Sequence, residues 1–355
     1  MNIYAIIMAG GVGSRFWPRS RERKPKQLLN LFDEQSLISK TVSRIESIVP
    51  PERVIVVTNR LQAEEIAMEL PSLPKEDIIA EPYGRNTAAC VALSAMIVAG
   101  RDPEAVCFVL PADHLINDIE SFLADLLKAA KFASEEEGLV TLGIPPTRPE
   151  TGYGYIQIDT TLEEAGVFKV ATFAEKPNYA TAVRFLESGD FMWNSGMFIW
   201  KASVILEEIS IFLPELSMRM TELSSSVGTA DFDEALEKAY SQIKGISIDY
   251  GIMEKSHRVY LIKASFDWSD VGSWEEVYHL SEKDEKGNAG VGDVFTSMTH
   301  DSYIYSPNKF TSVIGVDNLI IINTDDSLLV CRRDQAQEVK QIVDYLKHNN
   351  KNDLL

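Results

Sequence analysis

The sequence of 355 residues contains only three cysteines, Cys90, Cys107 and Cys331, and no two of them have CxxC spacing. An odd number of widely spaced cysteines does not form a disulfide framework or a zinc site, so we expect buried, reduced thiols. Because reduced thiols are typical of the cytoplasm, we expect a cytoplasmic protein.

Long hydrophobic runs are also missing. The longest weakly polar run covers residues 88–100 and includes Ser94, whereas a membrane-spanning helix needs about 20 predominantly apolar residues. The first apolar stretch has no positively charged region before it and is broken at residues 10–15, so it is not typical of a secretory signal. We therefore expect no membrane partner.

Positive charge is in short supply, with 34 basic against 53 acidic residues and a formal net charge of -19. This balance argues against nucleic-acid binding, which needs a basic surface to displace counterions. The sequence also lacks the His-Glu-x-x-His pattern of zinc hydrolases and the Gly-x-Ser-x-Gly elbow of serine hydrolases. Hydrolysis by a nucleophilic triad is therefore not expected.

Against this acidic background, residues 8–27 join a glycine-rich loop to a basic run. Glycines at positions 10, 11 and 13 allow positive φ angles and let main-chain N–H groups approach an anion. Between residues 15 and 26 the only acid is Glu22, beside six cations: Arg15, Arg19, Arg21, Arg23, Lys24 and Lys26. The combination predicts a phosphate site.

Two common phosphate motifs do not fit this loop. Phe16 occupies the position where the dinucleotide fingerprint needs a third Gly or Ala, and no Gly-Lys-Ser/Thr follows as in a P-loop. The remaining alternative is a plain tight turn followed by solvated arginines.

Short β-branched segments alternate with helical patterns up to about residue 145, which predicts an α/β fold with a Rossmann-like, mixed but mainly parallel sheet flanked by helices. The predicted strands cover residues 3–8, 54–58, 77–80, 106–110 and 139–143, and the predicted helices cover 36–49, 62–69, 87–99 and 119–137. The glycine loop, Glu81-Pro82 and the segment 111–113 all follow strands, so they should meet at one sheet edge.

Residues 146–285 mix strands at 168–175 and 197–201 with helices at 179–187 and 232–240, and we interpret them as part of the same domain. The polar segment 283–290 predicts a boundary. We expect a catalytic domain at 1–285 and a small β-rich domain at 286–355 that ends in a helix at 335–347. Its apolar segments, 302–305, 311–316, 319–323 and 328–331, give no topology by their spacing.

A series of motifs over about residues 1–280 resembles the sugar nucleotidyltransferase family, most closely its mannose-1-phosphate guanylyltransferases. The motifs are Gly-Gly-Val-Gly-Ser-Arg at 10–15, Phe-Trp-Pro-Arg-Ser-Arg at 16–21, Pro-Lys-Gln at 25–27, Glu-Pro at 81–82, Arg-Asn-Thr-Ala at 85–88, Pro-Ala-Asp-His at 111–114, Thr-Gly-Tyr-Gly-Tyr at 151–155, Glu-Lys-Pro at 175–177, Trp-Asn-Ser-Gly-Met-Phe at 193–198 and Trp-Ser-Asp-Val-Gly-Ser-Trp at 268–274. The resemblance implies transfer of GMP from GTP to α-D-mannose 1-phosphate, which gives GDP-mannose and pyrophosphate.

In that reaction two anionic reactants must meet, and Arg15 and Lys26 would neutralise the triphosphate near the α-phosphorus. Asp113 and Asp270 are candidate Mg²⁺ ligands, because this ion takes few protein carboxylates and completes its octahedron with phosphates. The alternative makes both aspartates turn or capping residues. His114 is either a ligand or a packed neighbour. The implied nucleotide-binding residues are Ala9, Gly10, Gly11, Gly13, Ser14, Arg15, Glu81, Pro82, Asn86, Thr87 and Asp113.

The resemblance assigns Lys176 to the phosphate of the sugar, with an exposed edge-strand lysine as the alternative. The implied sugar-phosphate-binding residues are Gly152, Tyr153, Glu175, Lys176, Asn194, Ser195 and Gly196. For the base, Glu81 is our candidate, because a carboxylate accepts from both the N1–H and the amino group of guanine; a salt bridge with Arg85 is the competing role.

Three other functions remain open: the same chemistry with another base or hexose 1-phosphate, a noncatalytic subunit that senses nucleotide-sugars, and a metal-dependent glycosyltransferase. The retention of Lys26, Asp113, Lys176 and Asp270 disfavours the sensor, and the absence of an Asp-x-Asp motif at 113–115 disfavours the glycosyltransferase. The resemblance also implies that the C-terminal domain is a short left-handed β-helix used to form a homodimer.

Overall fold

The computed structural model describes residues 1–174 and 176–355. Nine strands form one large sheet and four later strands form a second one. The strands are β1 Ile3–Met8, β2 Val54–Asn59, β3 Ile78–Glu81, β4 Val106–Pro111, β5 Leu139–Ile144, β6 Tyr155–Glu164, β7 Val167–Ala174, β8 Phe191–Lys201, β9 Val259–Lys263, β10 Ala289–Ser297, β11 Tyr303–Ile314, β12 Leu319–Asn323 and β13 Leu328–Arg332.

The large sheet has the order β3-β2-β1-β4-β8-β5-β9-β7-β6. In the described part of the chain, β7 and β8 run against the direction of the other seven strands, so the predicted mixed, mainly parallel sheet is confirmed. Because β8 is antiparallel, its first half lies at the edge where the parallel strands end. That edge is where ligands of open α/β sheets bind.

Helices cover both faces of this sheet, and their packed residues divide between two large hydrophobic clusters. The helices are α1 Leu37–Ile45, α2 Ala63–Glu69, α3 Asn86–Arg101, α4 Ile119–Glu136, α5 Tyr179–Ser188, α6 Ala202–Phe212, α7 Pro214–Ser224, α8 Phe232–Gln242, α9 Trp274–Leu280 and α10 Lys340–His348. No helix in the described ranges is both long and apolar enough to cross a membrane.

Local sequence explains where several helices begin. The side chains of Ser36, Asp118 and Asn178 accept hydrogen bonds from main-chain N–H groups three residues later, which caps α1, α4 and α5. The helix α3 is buried almost continuously from Ala88 to Val98, because it packs on the sheet and also contacts α6 and α7. Its first turn is thereby held at the sheet edge.

The C-terminal unit is a coil of parallel strands, with β10, β11 and β12 side by side and β13 antiparallel to β12. Neighbouring strands are offset by 17 residues, as in the hydrogen bond from the N–H of Leu319 to Ser302 Oγ. A 17-residue coil does not produce an 18-residue pattern of three hexapeptides, which explains why the sequence shows no hexapeptide period. The interpretation of 311–316 as a separate strand is wrong, because β11 runs unbroken from Tyr303 to Ile314.

This unit shares a hydrophobic core with the large domain. Phe16 and Trp17 pack in one buried cluster with Trp274 and with Tyr303 and Ile320 of the coil. The indole of Trp17 donates a 2.9 Å hydrogen bond to the main-chain oxygen of Leu354. The segment that follows the glycine loop is therefore fixed by the C-terminal residues.

The three cysteines are free thiols, as expected. Cys90 and Cys107 are buried, whereas Cys331 is half-buried on β13.

Candidate functional site

A cavity of about 580 Å³ lies at the edge where β1, β3 and β4 end. The glycine loop, the segment after β3 and the segment after β4 all line it, so the predicted convergence of three loops is confirmed. The first half of β8 and the loop before α9 close the other side. The predicted site residues in its lining are Ala9, Gly10, Gly11, Glu81, Asn86, Thr87, Asp113, Gly152, Tyr153, Asn194, Ser195, Gly196 and Asp270.

The glycine loop is held by its carbonyl groups. Gln27 donates from its amide to the main-chain oxygens of Ala9 at 2.7 Å and Gly11 at 3.1 Å, and Ser20 Oγ donates to the oxygen of Gly13 at 2.7 Å. In the described part of the chain, no hydrogen bond occupies the main-chain N–H groups of residues 10–13. These donors are therefore available to an anion.

Lys26 is buried, with a residue exposure of 6%, and it joins two of the site's loops. Its Nζ donates to Asp113 Oδ2 at 2.8 Å and to the main-chain oxygen of Asp270 at 2.5 Å. Burial raises the pKa of Asp113, but the charge of Lys26 outweighs burial and holds that pKa below its usual range. The Asp113 side chain keeps 35% of its surface exposed, so the carboxylate is ionised and accessible from the cavity.

Gly13 is required where it lies. Its φ is 67°, in the left-handed region, and a Cβ on this residue would overlap the Cβ of Lys26. The tight approach of the glycine loop to Lys26 therefore explains the third glycine of the motif.

Asp270 is brought beside Asp113 by a short bridge between Leu115 and Ser269, whose main chains exchange hydrogen bonds of 2.9 and 3.0 Å. Asp270 Oδ1 accepts a 2.6 Å hydrogen bond from the hydroxyl of Tyr153. The next residue, Val271, is buried with a φ of 44°, an outlier for a β-branched residue that is typical of functional loops.

His114 is a packed neighbour that also borders the cavity. Its Nδ1 accepts a 3.1 Å hydrogen bond from the indole of Trp268, whose ring meets the imidazole edge-on at 5.3 Å. Burial lowers the pKa of His114 to about 4, so the ring is neutral near pH 7.

At the opposite end of the cavity, Glu81 is 8% exposed. Its Oε1 accepts a 2.8 Å hydrogen bond from the hydroxyl of Tyr240, while its Oε2 lies 3.7 Å from the position that a Cβ on Gly10 would take. Burial raises the pKa of Glu81 to about 7, and the hydrogen bond from Tyr240 opposes that rise.

The expected alternative, an ion pair between Glu81 and Arg85, is not formed in the part of the chain that the structure describes. Arg85 Nε instead donates to the main-chain oxygen of Tyr240 at 2.9 Å. The segment after Tyr240 is attached further along, because Thr87 Oγ1 accepts a 2.8 Å hydrogen bond from the N–H of Ile248.

Asn194, Ser195 and Gly196 form the wall of the cavity on β8. Asn194 Oδ1 accepts from the N–H of Gly196 at 3.0 Å, and Asn194 Nδ2 donates to Asp249 Oδ1 at 2.7 Å. Ser195 Oγ donates to the main-chain oxygen of Leu142 at 2.5 Å. Ser195 thus anchors the wall, whereas Asn194 and Asp249 border the cavity.

Several predicted site residues lie outside the lining. Ser14, Arg15 and Pro82 flank the cavity loops, with Arg15 exposed, and Lys176 is exposed with a φ of 34°. Glu175 lies outside the described residues.

Two cations of the basic run do not face the cavity. Arg19 stacks over Tyr305 at 4.3 Å and donates to Asn30, while Arg21 forms a 2.8 Å ion pair with Asp326 and donates to the main-chain oxygen of Leu354. Interpreting the whole run as a phosphate site is therefore wrong, because these arginines hold the C-terminal unit.

Sequence reasoning assigned no role to four residues that shape the site: Gln27, Tyr240, Asp249 and Trp268. Gln27 and Trp268 lie inside quoted motifs and could have been found there. Tyr240 and Asp249 lie in no motif, and their partners are 159 and 55 residues away.

Comparisons with known families agree with this geometry. The nucleotidyl transferase model matches residues 4–287, and the model of the MannoseP isomerase/GMP-like beta-helix domain matches residues 293–346.

Individual relatives are similar over nearly the whole chain. A mannose-1-phosphate guanylyltransferase of Salmonella muenchen is 41% identical over 98% of this chain and 74% of its own length. The alginate biosynthesis protein AlgA of Pseudomonas fluorescens is 39% identical over 98% of this chain and 72% of its own length. A crystal structure from Thermus thermophilus, described as a mannose-1-phosphate geranyltransferase, superposes with a TM-score of 0.88 at 34% identity, over 98% of this chain and all of that one.

Proposed function

This chain belongs to the nucleotidyl transferase family, and we propose that it transfers GMP from GTP to α-D-mannose 1-phosphate, giving GDP-mannose and pyrophosphate. The observation that carries the proposal is the position of Lys26. Its ammonium links Asp113 to the Asp270 loop between the open N–H groups of the glycine loop and the polar wall of β8.

The residues present fit a divalent cation. Asp113 and Asp270 both line the cavity, and in the described ranges no cluster of three or more His, Cys, Asp or Glu residues could hold a metal by itself. Two carboxylates with substrate phosphates match Mg²⁺, which retains several non-protein ligands. We propose that these aspartates hold Mg²⁺, which would neutralise charge on the reacting phosphates.

The chain's own groups supply the rest of the electrostatics. The N–H groups of residues 10–13 bind triphosphate oxygens, and Lys26 stabilises charge that develops around the α-phosphorus as the sugar phosphate oxygen attacks in line and pyrophosphate leaves. Arg15 and Lys176 lie outside the lining and are both exposed. We propose that they contact the triphosphate and the sugar phosphate once these occupy the cavity.

Glu81 is our candidate for base recognition. Its carboxylate lies beside Gly10 with Oε1 fixed by Tyr240, so its orientation is set before a base arrives. If Glu81→Gln leaves the preference for GTP over other triphosphates unchanged, Glu81 does not read the base.

One assay tests the reaction as a whole. The purified protein with Mg²⁺ is incubated with each combination of GTP, ATP, UTP or dTTP and mannose, glucose or galactose 1-phosphate, and pyrophosphate release is recorded. We expect the highest kcat/KM with GTP and mannose 1-phosphate, and loss of activity in excess EDTA that added Mg²⁺ restores.

Other outcomes separate the alternatives. Product from UTP or dTTP with glucose 1-phosphate alone would replace the proposal by a different nucleotidyltransferase. No turnover together with tight binding of GDP-mannose would replace it by a sensor.

We further propose a homodimer formed through the C-terminal coil, in a molecule with a catalytic domain at 1–285 and a coil domain at 286–355. The coil exposes an unusual number of large apolar side chains: Phe295, Met298, Phe310, Ile314, Leu328 and Val330. Sedimentation of the protein should give a dimer, and Phe295→Asp with Phe310→Asp should give a monomer, whereas the surface change Lys244→Asp should not. The three free thiols support a cytoplasmic location.

A further inference from the structure

Four acidic residues border the cavity among those that the structure describes: Glu81, Asp113, Asp249 and Asp270. The first belongs to the base end, and Asp113 and Asp270 surround Lys26. Asp249 is the fourth, and the reaction proposed above gives it no task.

Asp249 is half-buried at the start of a single π-helical turn, Asp249–Met253, which follows α8. Such turns are rare and occur often at functional sites. The turn is attached to the nucleotide side of the cavity, because Thr87 Oγ1 accepts from the N–H of Ile248 and Ala88 donates to the oxygen of Ile246. The position of Asp249 is thus fixed independently of the residue it contacts on β8.

That contact is the 2.7 Å hydrogen bond from Asn194 Nδ2 to Asp249 Oδ1. Since Asn194 Oδ1 also accepts from Gly196, the amide is fixed in orientation and retains one hydrogen and one lone pair for a ligand. A carboxylate offers about four acceptor positions, so Asp249 can keep its bond to Asn194 and still accept from a ligand hydroxyl.

The charge of Asp249 decides which part of the ligand it faces. A carboxylate beside a phosphate is repelled, whereas hydroxyl groups are good donors to it. Asp249 lies beside Asn194 on the β8 side of the cavity, and not with the cations and open N–H groups of the phosphate side.

We infer that Asp249 accepts a hydrogen bond from a ring hydroxyl of the hexose 1-phosphate and is a specificity-determining residue for that substrate. This inference rests on the proposed function, because it presupposes that a hexose 1-phosphate occupies the β8 side. Asn194 acts with it as the donor of the pair, so the two side chains together read one acceptor and one donor position of the sugar.

The test compares Asp249→Asn with the wild-type protein, using mannose 1-phosphate and its 2-, 3-, 4- and 6-deoxy analogues. Asparagine can still accept from Asn194, so a purely structural role would be rescued by it. We expect kcat/KM for mannose 1-phosphate to fall about 10- to 100-fold, as for loss of a charge-assisted hydrogen bond, with the KM for GTP changed less than about 3-fold.

The deoxy analogues identify the hydroxyl. In the wild-type protein one analogue should lose about 10- to 100-fold in kcat/KM, and in Asp249→Asn that penalty should largely disappear because the partner is already gone. Glu234→Gln on α8 makes the same charge change on an exposed residue outside the cavity and should behave as the wild type.

Two results would overturn the inference: Asp249→Asn with unchanged kcat/KM, or deoxy penalties that are the same in both proteins. Equal melting temperatures for the two proteins exclude unfolding as the cause of a loss. Failure of the wild-type protein to use any hexose 1-phosphate would instead overturn the proposed function, so the two failures are distinguishable.

Discussion

The hydroxyl of Tyr240 donates a 2.8 Å hydrogen bond to Oε1 of Glu81, across 159 residues of sequence. This bond favours the ionised carboxylate in a site where burial raises the pKa of Glu81 to about 7. Tyr240 therefore helps to keep Glu81 in the form that can accept two hydrogen bonds from guanine.

Tyr240→Phe should weaken GTP use most at low pH. Without the hydrogen bond the pKa of Glu81 rises further, so at pH 7 a larger fraction is protonated and cannot accept from both donors of guanine. We expect the KM for GTP to rise about 10-fold at pH 7 and to approach the wild-type value as the pH increases to 9. KM profiles between pH 6 and 9 for GTP, with ITP as a base that lacks the amino group, measure this effect. Parallel profiles for the two proteins would contradict it.

Glu81 should also make the stability of the fold depend on pH. Its folded pKa of about 7 lies above the ordinary value of 4.5, so its contribution to stability is fully present below about pH 4.5 and is lost as the pH rises through 7. Glu81→Gln removes this dependence. The free energy of unfolding of the wild type relative to Glu81→Gln should fall by on the order of 3 kcal/mol between pH 4.5 and 8. Denaturant titrations at several pH values measure it, and a constant difference would show that Glu81 is ionised throughout.

These two residues also show what the sequence could and could not predict. Glu81 follows a buried strand, and the chemistry of its carboxylate is local, so position and residue type were sufficient to select it. Tyr240 lies on the amphipathic helix α8, whose pattern predicts a helix face packed on the core. Only the path of the chain brings its hydroxyl to Glu81.

The C-terminal unit shows the same limit at the level of the fold. Short apolar segments predicted strands there, but their pairing follows a 17-residue coil that only the register reveals. The basic run was misinterpreted for a related reason. Charge composition does not encode direction, and Arg19 turns toward Tyr305 while Lys26 turns toward Asp113.

Lys26→Ala should abolish most of the catalytic activity. The change removes a buried cation that contacts Asp113 and the Asp270 loop, and the loss of one preorganised charge of this kind typically lowers turnover about 100- to 1,000-fold. Lys26→Arg should not restore activity, because the wider guanidinium does not fit the same buried position. Pyrophosphate release at saturating substrates measures kcat. The matched control is Arg23→Ala, an exposed cation of the same run; an equal loss in that variant would mean that general positive charge, and not the position of Lys26, matters.

Arg21→Ala should affect stability and leave the chemistry nearly unchanged. Arg21 contacts Asp326 and the main-chain oxygen of Leu354 on the C-terminal unit and does not line the cavity. The ion pair is half-exposed on the Asp326 side and contributes less than about 1 kcal/mol by itself, but the change also leaves the Leu354 oxygen with one donor fewer, so we expect a loss of about 1 to 2 kcal/mol in the free energy of unfolding. The kcat should stay within about 3-fold of the wild type, which is below the loss expected for an active-site cation. Denaturant unfolding and pyrophosphate release on the same preparations measure both quantities, with Arg23→Ala again as the control. A large fall in kcat without a change in stability would return Arg21 to the phosphate site and would contradict the division of the basic run into a catalytic lysine and structural arginines.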